Sequence, residues 1–104
     1  MFKKIDKDFL SDIEEAMRRT NSYTENLSYE EFLEYIKTQD AVIRNIAIIG
    51  EAAKNISEEL RSKYQEIQLK DMAGLSDKLI HYYFSVNLDI VWTAVREEFP
   101  VIVL

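Results

Sequence analysis

The side chains able to do chemistry near neutral pH gather in one stretch, Leu75-Ser76-Asp77-Lys78-Leu79-Ile80-His81-Tyr82-Tyr83-Phe84. It holds the chain's one histidine, two adjacent tyrosines and a charged pair one helical turn before the histidine. Imidazole is the side chain whose ordinary pKa lies nearest neutrality, so general acid or base work starts at His81. On a helix, Asp77 and Lys78 fall four and three residues before His81 and share its face. From there Asp77 accepts a hydrogen bond from one imidazole nitrogen, fixes the tautomer and favours the protonated ring. The plain counterpart is an ordinary surface histidine beside a surface ion pair worth about 0.3–0.5 kcal/mol. Tyr83 sits two positions after His81, roughly 200° around a regular helix. The two side chains therefore do not line one pocket made by one straight helix. Either the helix ends near there, or a second chain completes the site.

The elements that must position this stretch are helical. From Ile5 to Arg19 the apolar residues Ile5, Phe9, Leu10, Ile13, Ala16 and Met17 recur at spacings of three and four, with acids early and Arg18-Arg19 late. Thr20-Asn21-Ser22 reads as the break, and 23–27 as a connector. Ser28-Tyr29-Glu30-Glu31 is a capping box, with Leu27 and Phe32 as its hydrophobic staple. It opens a short helix to about Lys37 that turns Phe32, Leu33, Tyr35 and Ile36 inward, with a bend expected at Thr38-Gln39-Asp40. Asp40 to Lys63 is the longest periodic segment. Its apolar stripe is broad enough for two neighbours, and its Gly50-Glu51-Ala52-Ala53 step is small enough for close helix approach. Glu51 within such a surface calls for a partner, either Arg44 or the site of another helix. A polar link over 64–70 leads to a helix over 71–85. Asn87 then caps a last helix carrying Ile90, Val91, Trp92, Val95 and Phe99, which Pro100 stops. The expected architecture is an all-α bundle of four to five helices in a single domain, residues 1–104.

The totals narrow the function. There are 13 Lys+Arg against 19 Asp+Glu, a net charge of −6, so the chain has no overall basic excess with which to grip nucleic acid. Any such role relies on a local basic patch, a transient contact or a partner. Two glycines make no phosphate-cradling loop, and one proline with two glycines argues for long helices. The absence of cysteine excludes disulfides and thiolate metal sites. One histidine among dispersed carboxylates gives no metal centre, and no cofactor is expected. No apolar run reaches the ~20 residues of a membrane span and the N-terminus lacks a signal-peptide core, so a cytoplasmic protein is expected. The aromatic group Tyr82-Tyr83-Phe84 with Trp92 fits core or interface better than a base-stacking platform.

Taken together, Gly74–Phe84, then Val86-Asn87-Leu88-Asp89-Ile90-Val91-Trp92, and upstream Ile48-Ile49-Gly50-Glu51-Ala52-Ala53-Lys54, resemble HEPN-domain proteins of the HepT-like (DUF86) group. The resemblance runs from Asp6 to Pro100. It implies an α-helical homodimer whose central helices meet in one composite cleft, which answers the angular problem of His81 and Tyr83. It further implies a metal-independent ribonuclease toxin of a type VII-like toxin–antitoxin pair. The partner would be a minimal nucleotidyltransferase (MNT) antitoxin that transfers AMP to the motif tyrosine. Carried over, His81 is the general acid/base acting on RNA, Tyr83 the AMP acceptor, and Asp77 the polar residue after the motif arginine, with Glu51 and Lys78 in support. The family pattern is an arginine, four to six residues, then His-any-Tyr. Here Gly74, Leu75 and Ser76 occupy the candidate positions, and Ser76 stands where the arginine belongs. Serine does not neutralise a phosphate, and Lys78, two residues on, lies on a different face from Ser76. Losing one such electrostatic contact costs ~10²–10³ in rate. The chain is thus expected to be an inactivated toxin, a degenerate copy or a weak enzyme. The alternative is a catalytically inactive helical dimer that binds the nucleotidyltransferase.

Overall fold

In the computed structural model, which describes residues 5–63, 74 and 87–99, the first helix outruns its sequence signal. Helix α1 spans Asp6–Thr24. It begins where Asp8 turns back to accept from the Ile5 backbone N–H at 3.1 Å. It buries Ile13 and Ala16, with Phe9, Leu10 and Met17 half-buried beside them. The expected break at Thr20-Asn21-Ser22 does not occur. Thr20 Oγ1 donates to the Met17 carbonyl and Thr24 Oγ1 to the Thr20 carbonyl, each at 2.9 Å. Both threonines are fully buried, so hydroxyls satisfied within the helix let polar residues occupy core positions. In consequence Arg18 and Arg19 sit mid-helix rather than at its C-terminal end, and both pair with Glu15, at 2.6 and 3.0 Å.

The capping box forms as the sequence predicts. The Glu31 N–H donates to Ser28 Oγ at 3.1 Å, and the Ser28 N–H donates to Glu31 Oε1 at 3.0 Å. Helix α2 (Tyr29–Glu34) is shorter than expected, because the backbone leaves helical geometry at Tyr35 (φ −102°, ψ 88°). Helix α3 starts at once and runs Ile36–Lys54. The bend therefore lies at Tyr35, not at 38–40. Gln39 splints it: its Nε2 donates to the carbonyls of Phe32 (2.9 Å) and Leu33 (3.0 Å), groups that a helix end leaves without partners. The bend also redirects the apolar residues around it. Phe32 is fully buried, whereas Leu33, Tyr35 and Ile36 are exposed.

Along α3, Val42, Ile46, Ile49 and Ala53 recur at spacings of four, three and four and are buried, chiefly against α1. Asn45, Gly50 and Ala52 are buried as well, which accounts for the broad stripe. Asn45 Nδ2 donates to the Ala41 carbonyl at 2.8 Å. The segment expected to continue to Lys63 divides at 55–57. Asn55 donates its N–H to the Ala52 carbonyl, Ile56 turns inward, and Ser57 caps helix α4 (Glu58–Lys63) by accepting from the Leu60 N–H at 3.2 Å. Asp6 ties that cap to the start of α1, accepting from Ser57 N–H (2.8 Å) and Ser57 Oγ (2.5 Å).

Asn87 caps helix α5 (Leu88–Thr93), its Oδ1 accepting from the Asp89 N–H at 2.9 Å. The helix widens into a π-helical turn at Ala94–Glu98. Val91, Ala94, Val95 and Phe99 join the core. Trp92 is half-buried, its ring centroid 5.1 Å from Phe32 and 5.9 Å from Tyr29. Among the described residues there are helices and turns and no strand, and the fold is all-α. The helix expected over 71–85, the link before it, and the tail from Pro100 lie outside the described residues, Gly74 apart.

Among the described residues, Phe32 is the largest side chain wholly removed from water. Phe32→Ala is expected to cost about 3–5 kcal/mol in urea unfolding. Ser28→Ala should cost only about 1 kcal/mol, the worth of an exposed N-cap. Equal losses would mean that the box, not the ring, sets the position of α2.

Candidate functional site

Five of the six site residues named from the sequence, Ser76, Asp77, Lys78, His81 and Tyr83, lie outside the described residues. The elements on either side of them in the chain are described. Gly74 is exposed, with open space where a side chain would begin. On the other side, the Asn87 cap sets the start of α5 six residues after His81.

Glu51, the sixth, lies on α3 next to buried Gly50 and Ala52, yet its own side chain is exposed. Its carboxylate does not pair with Arg44. It meets Asn55 Nδ2 at 3.5 Å, and the same amide donates to the Glu51 carbonyl at 2.8 Å. A helix side chain next to a buried step still reaches water when it points from the opposite face, which is why the expected burial fails here.

Trp92 is held inside the fold rather than presented as a platform. Phe32 and Tyr29 pack on it, and the Arg96 guanidinium carbon stands 6.0 Å from its ring centroid. The same guanidinium donates from Nη1 to Asn21 Oδ1 (3.3 Å) and Thr24 Oγ1 (3.5 Å). Sequence reading passed over Arg96; its signal was a cation one helical turn after Trp92. Its partners on α1 were hidden because that helix was expected to have ended.

The perturbed ionisations among the described residues are structural. Hydrogen bonds from Arg18 and then Arg19 hold the Glu15 carboxyl down at about 2. The Ser57 hydroxyl and amide hold Asp6 below the usual carboxylate value. A hydrogen bond from the Tyr29 hydroxyl to Asp89 keeps that phenol above its ordinary value, with burial acting in the same direction. Among the described residues no three His, Asp or Glu side chains are grouped so as to hold a metal ion, and no helix is long and apolar enough to cross a membrane.

Residues 13–103 match the HepT-like family, described as ribonuclease HepT-like. The chain belongs to that family. A HepT-like protein of Thermococcus cleftensis, named "Probable ribonuclease HepT", is 44% identical over 98 residues, 94% of this chain and 89% of its own. A "Putative RNase" of Methanocaldococcus jannaschii is 45% identical over 100 residues, 96% of this chain and 83% of its own. A third relative, also from M. jannaschii and named "Gamma-glutamylcyclotransferase and putative RNase", is 40% identical over 94 residues, which make up 42% of its length. No solved structure matches the chain. The all-α fold and the HepT-like membership agree with each other, and the family's activity is of the ribonuclease type.

Both depressed carboxyls stabilise the fold above their ordinary values and lose that contribution as pH falls toward their folded values. For Glu15 the window runs from 4.5 down to about 2. The urea midpoint of the wild type should therefore fall more steeply across that window than the midpoint of an Asp6→Asn, Glu15→Gln double variant. Parallel curves would show that neither pair contributes in solution.

Proposed function

We propose that this chain is a HepT-like ribonuclease toxin: a single HEPN domain over residues 1–104, acting as a cytoplasmic homodimer. The observation that carries this reading is the family match over residues 13–103, which takes in the whole 75–84 stretch. The relative in which the matching region is less than half of a longer protein supports reading it as one autonomous unit.

In the proposed reaction the RNA 2′-hydroxyl is the nucleophile. It attacks the adjacent phosphorus while the bond to the 5′-oxygen breaks, leaving a 2′,3′-cyclic phosphate and a 5′-hydroxyl. His81 removes the proton from the 2′-hydroxyl or supplies one to the leaving oxygen, with Asp77 orienting its ring. No metal takes part. Charge builds on the phosphoryl oxygens, and the motif arginine that would meet it is Ser76 here. Lys78 and Glu51 support the site from its margins. A cleft built from two chains answers the placement of His81 and Tyr83 on different faces of one straight helix.

RNA cleavage without metal at neutral pH, by this chain beside its Ser76→Arg variant, tests the reading. The arginine variant is expected to cut ~10²–10³-fold faster, to lose that gain when His81→Ala is added, and to sediment as a dimer. If neither protein cuts, the enzyme reading fails.

The antitoxin in this proposal is an MNT nucleotidyltransferase that transfers AMP from ATP to the Tyr83 hydroxyl, releasing pyrophosphate. Incubation with such an enzyme and ATP should add one adenylyl group to the peptide containing Tyr83 and none in Tyr83→Phe. An unmodified wild-type peptide would remove this part.

A second reading has its own support. The charge of −6 and the serine at position 76 both favour an inactive dimer that binds the nucleotidyltransferase without chemistry. His81→Ala would then leave its function intact.

A further inference from the structure

The junction of α2 and α3 puts apolar side chains where the fold gains nothing from them. Of the four inward residues that the sequence pattern predicts there, only Phe32 is buried. Leu33 is 44% exposed, Tyr35 47% and Ile36 69%. Isolated exposed apolar residues are ordinary on a protein surface. These three fall within four residues of each other, on a bend held fixed by the Gln39 amide. The bend also frames a surface depression of about 400 Å³ lined by Glu34, Tyr35, Ile36, Lys37 and Thr38.

The charge around the bend is one-sided. Glu30, Glu31, Glu34 and Asp40 are exposed there against the single cation Lys37. Glu34 ends α2, where the helix dipole disfavours a carboxylate, so helix stability does not explain it. A site where the local sequence goes against stability is where function is expected.

We propose that this elbow is a docking site for a protein segment that presents an apolar side chain flanked by lysine or arginine. The apolar group would seat against Tyr35 and Ile36 in the depression, and its basic flanks would meet Glu30 and Glu34. RNA does not fit, because its phosphates would face the same carboxylates. A second copy of this chain does not fit either. A two-fold contact through the elbow would set each copy's carboxylates near the other's. The proposal is independent of the catalytic reading and holds whether or not the chain cuts RNA.

The test uses a fluorescein-labelled peptide of alternating leucine and lysine pairs, with a leucine–glutamate peptide as its counterpart, followed by fluorescence anisotropy. The full chain should bind the leucine–lysine peptide and not the other. A Tyr35→Ser, Ile36→Ser double variant and a Glu34→Lys variant should each bind at least 10-fold more weakly. Ile90→Ser, which removes an exposed apolar residue elsewhere, should bind as the wild type does. Absence of binding, equal affinity for all four proteins or preference for the acidic peptide overturns the proposal. So does a lower sedimentation mass for the double serine variant than for the wild type, since the elbow would then be a contact between copies.

Discussion

The contact between Phe32 and Trp92, with the Tyr29–Trp92 ring pair and the Tyr29–Asp89 hydrogen bond beside it, joins α2 to α5. Phe32 comes from a helix of six residues, too short to be stable on its own. What holds that helix is the capping box at one end, the Gln39 splint at the other and the buried ring between them. Trp92 brings α5 to the same place, and Arg96 carries the connection on to Asn21 and Thr24 at the end of α1. The α1–α3 seam supplies much of the buried apolar surface. The aromatic joint decides how the remaining helices are hung on it.

That arrangement bears on chemistry through α5. The stretch with His81 leads directly into Asn87, and Asn87, Val91 and Trp92 are fixed by a cap, by burial and by ring contacts. Across the described surface, three of the arginines are committed. Arg18 and Arg19 are held by Glu15, and Arg96 by Trp92 and two α1 oxygens. An acidic protein of this kind has little diffuse positive charge to offer a phosphate.

Much of the fold was legible in the sequence where one physical signal acted alone. The Ser28–Glu31 box and the Asn87 cap were readable because each is a local hydrogen-bonding pattern. The Val42–Ala53 stripe was readable because its period is helical. The misreadings came where polar side chains did something the pattern does not encode. Thr20 and Thr24 look like a break and are buried within a helix. Gln39 looks like part of a loop and closes the end of the preceding helix. Leu33 and Ile36 have core composition, and the turn at Tyr35 sends them outward. For the candidate site the sequence carried the family, while the motif from Ser76 to Tyr83 lies outside the described residues. The exposure of Glu51 and the anchoring of Arg96 depend on which way a helix faces, and that is decided by distant partners.

The widened turn at Ala94–Glu98 has a consequence for register. On a regular helix, residues four apart drift by about 40° per step, so Val91, Val95 and Phe99 would wind off a common line. A turn with i→i+5 bonding holds more residues per revolution and takes up that drift. All three side chains stay in the core as a result. The apolar periodicity of this segment belongs to two helix types in succession. The wider turn brings Phe99 back toward the line of Val91 and Val95, and with it a whole aromatic ring for the core.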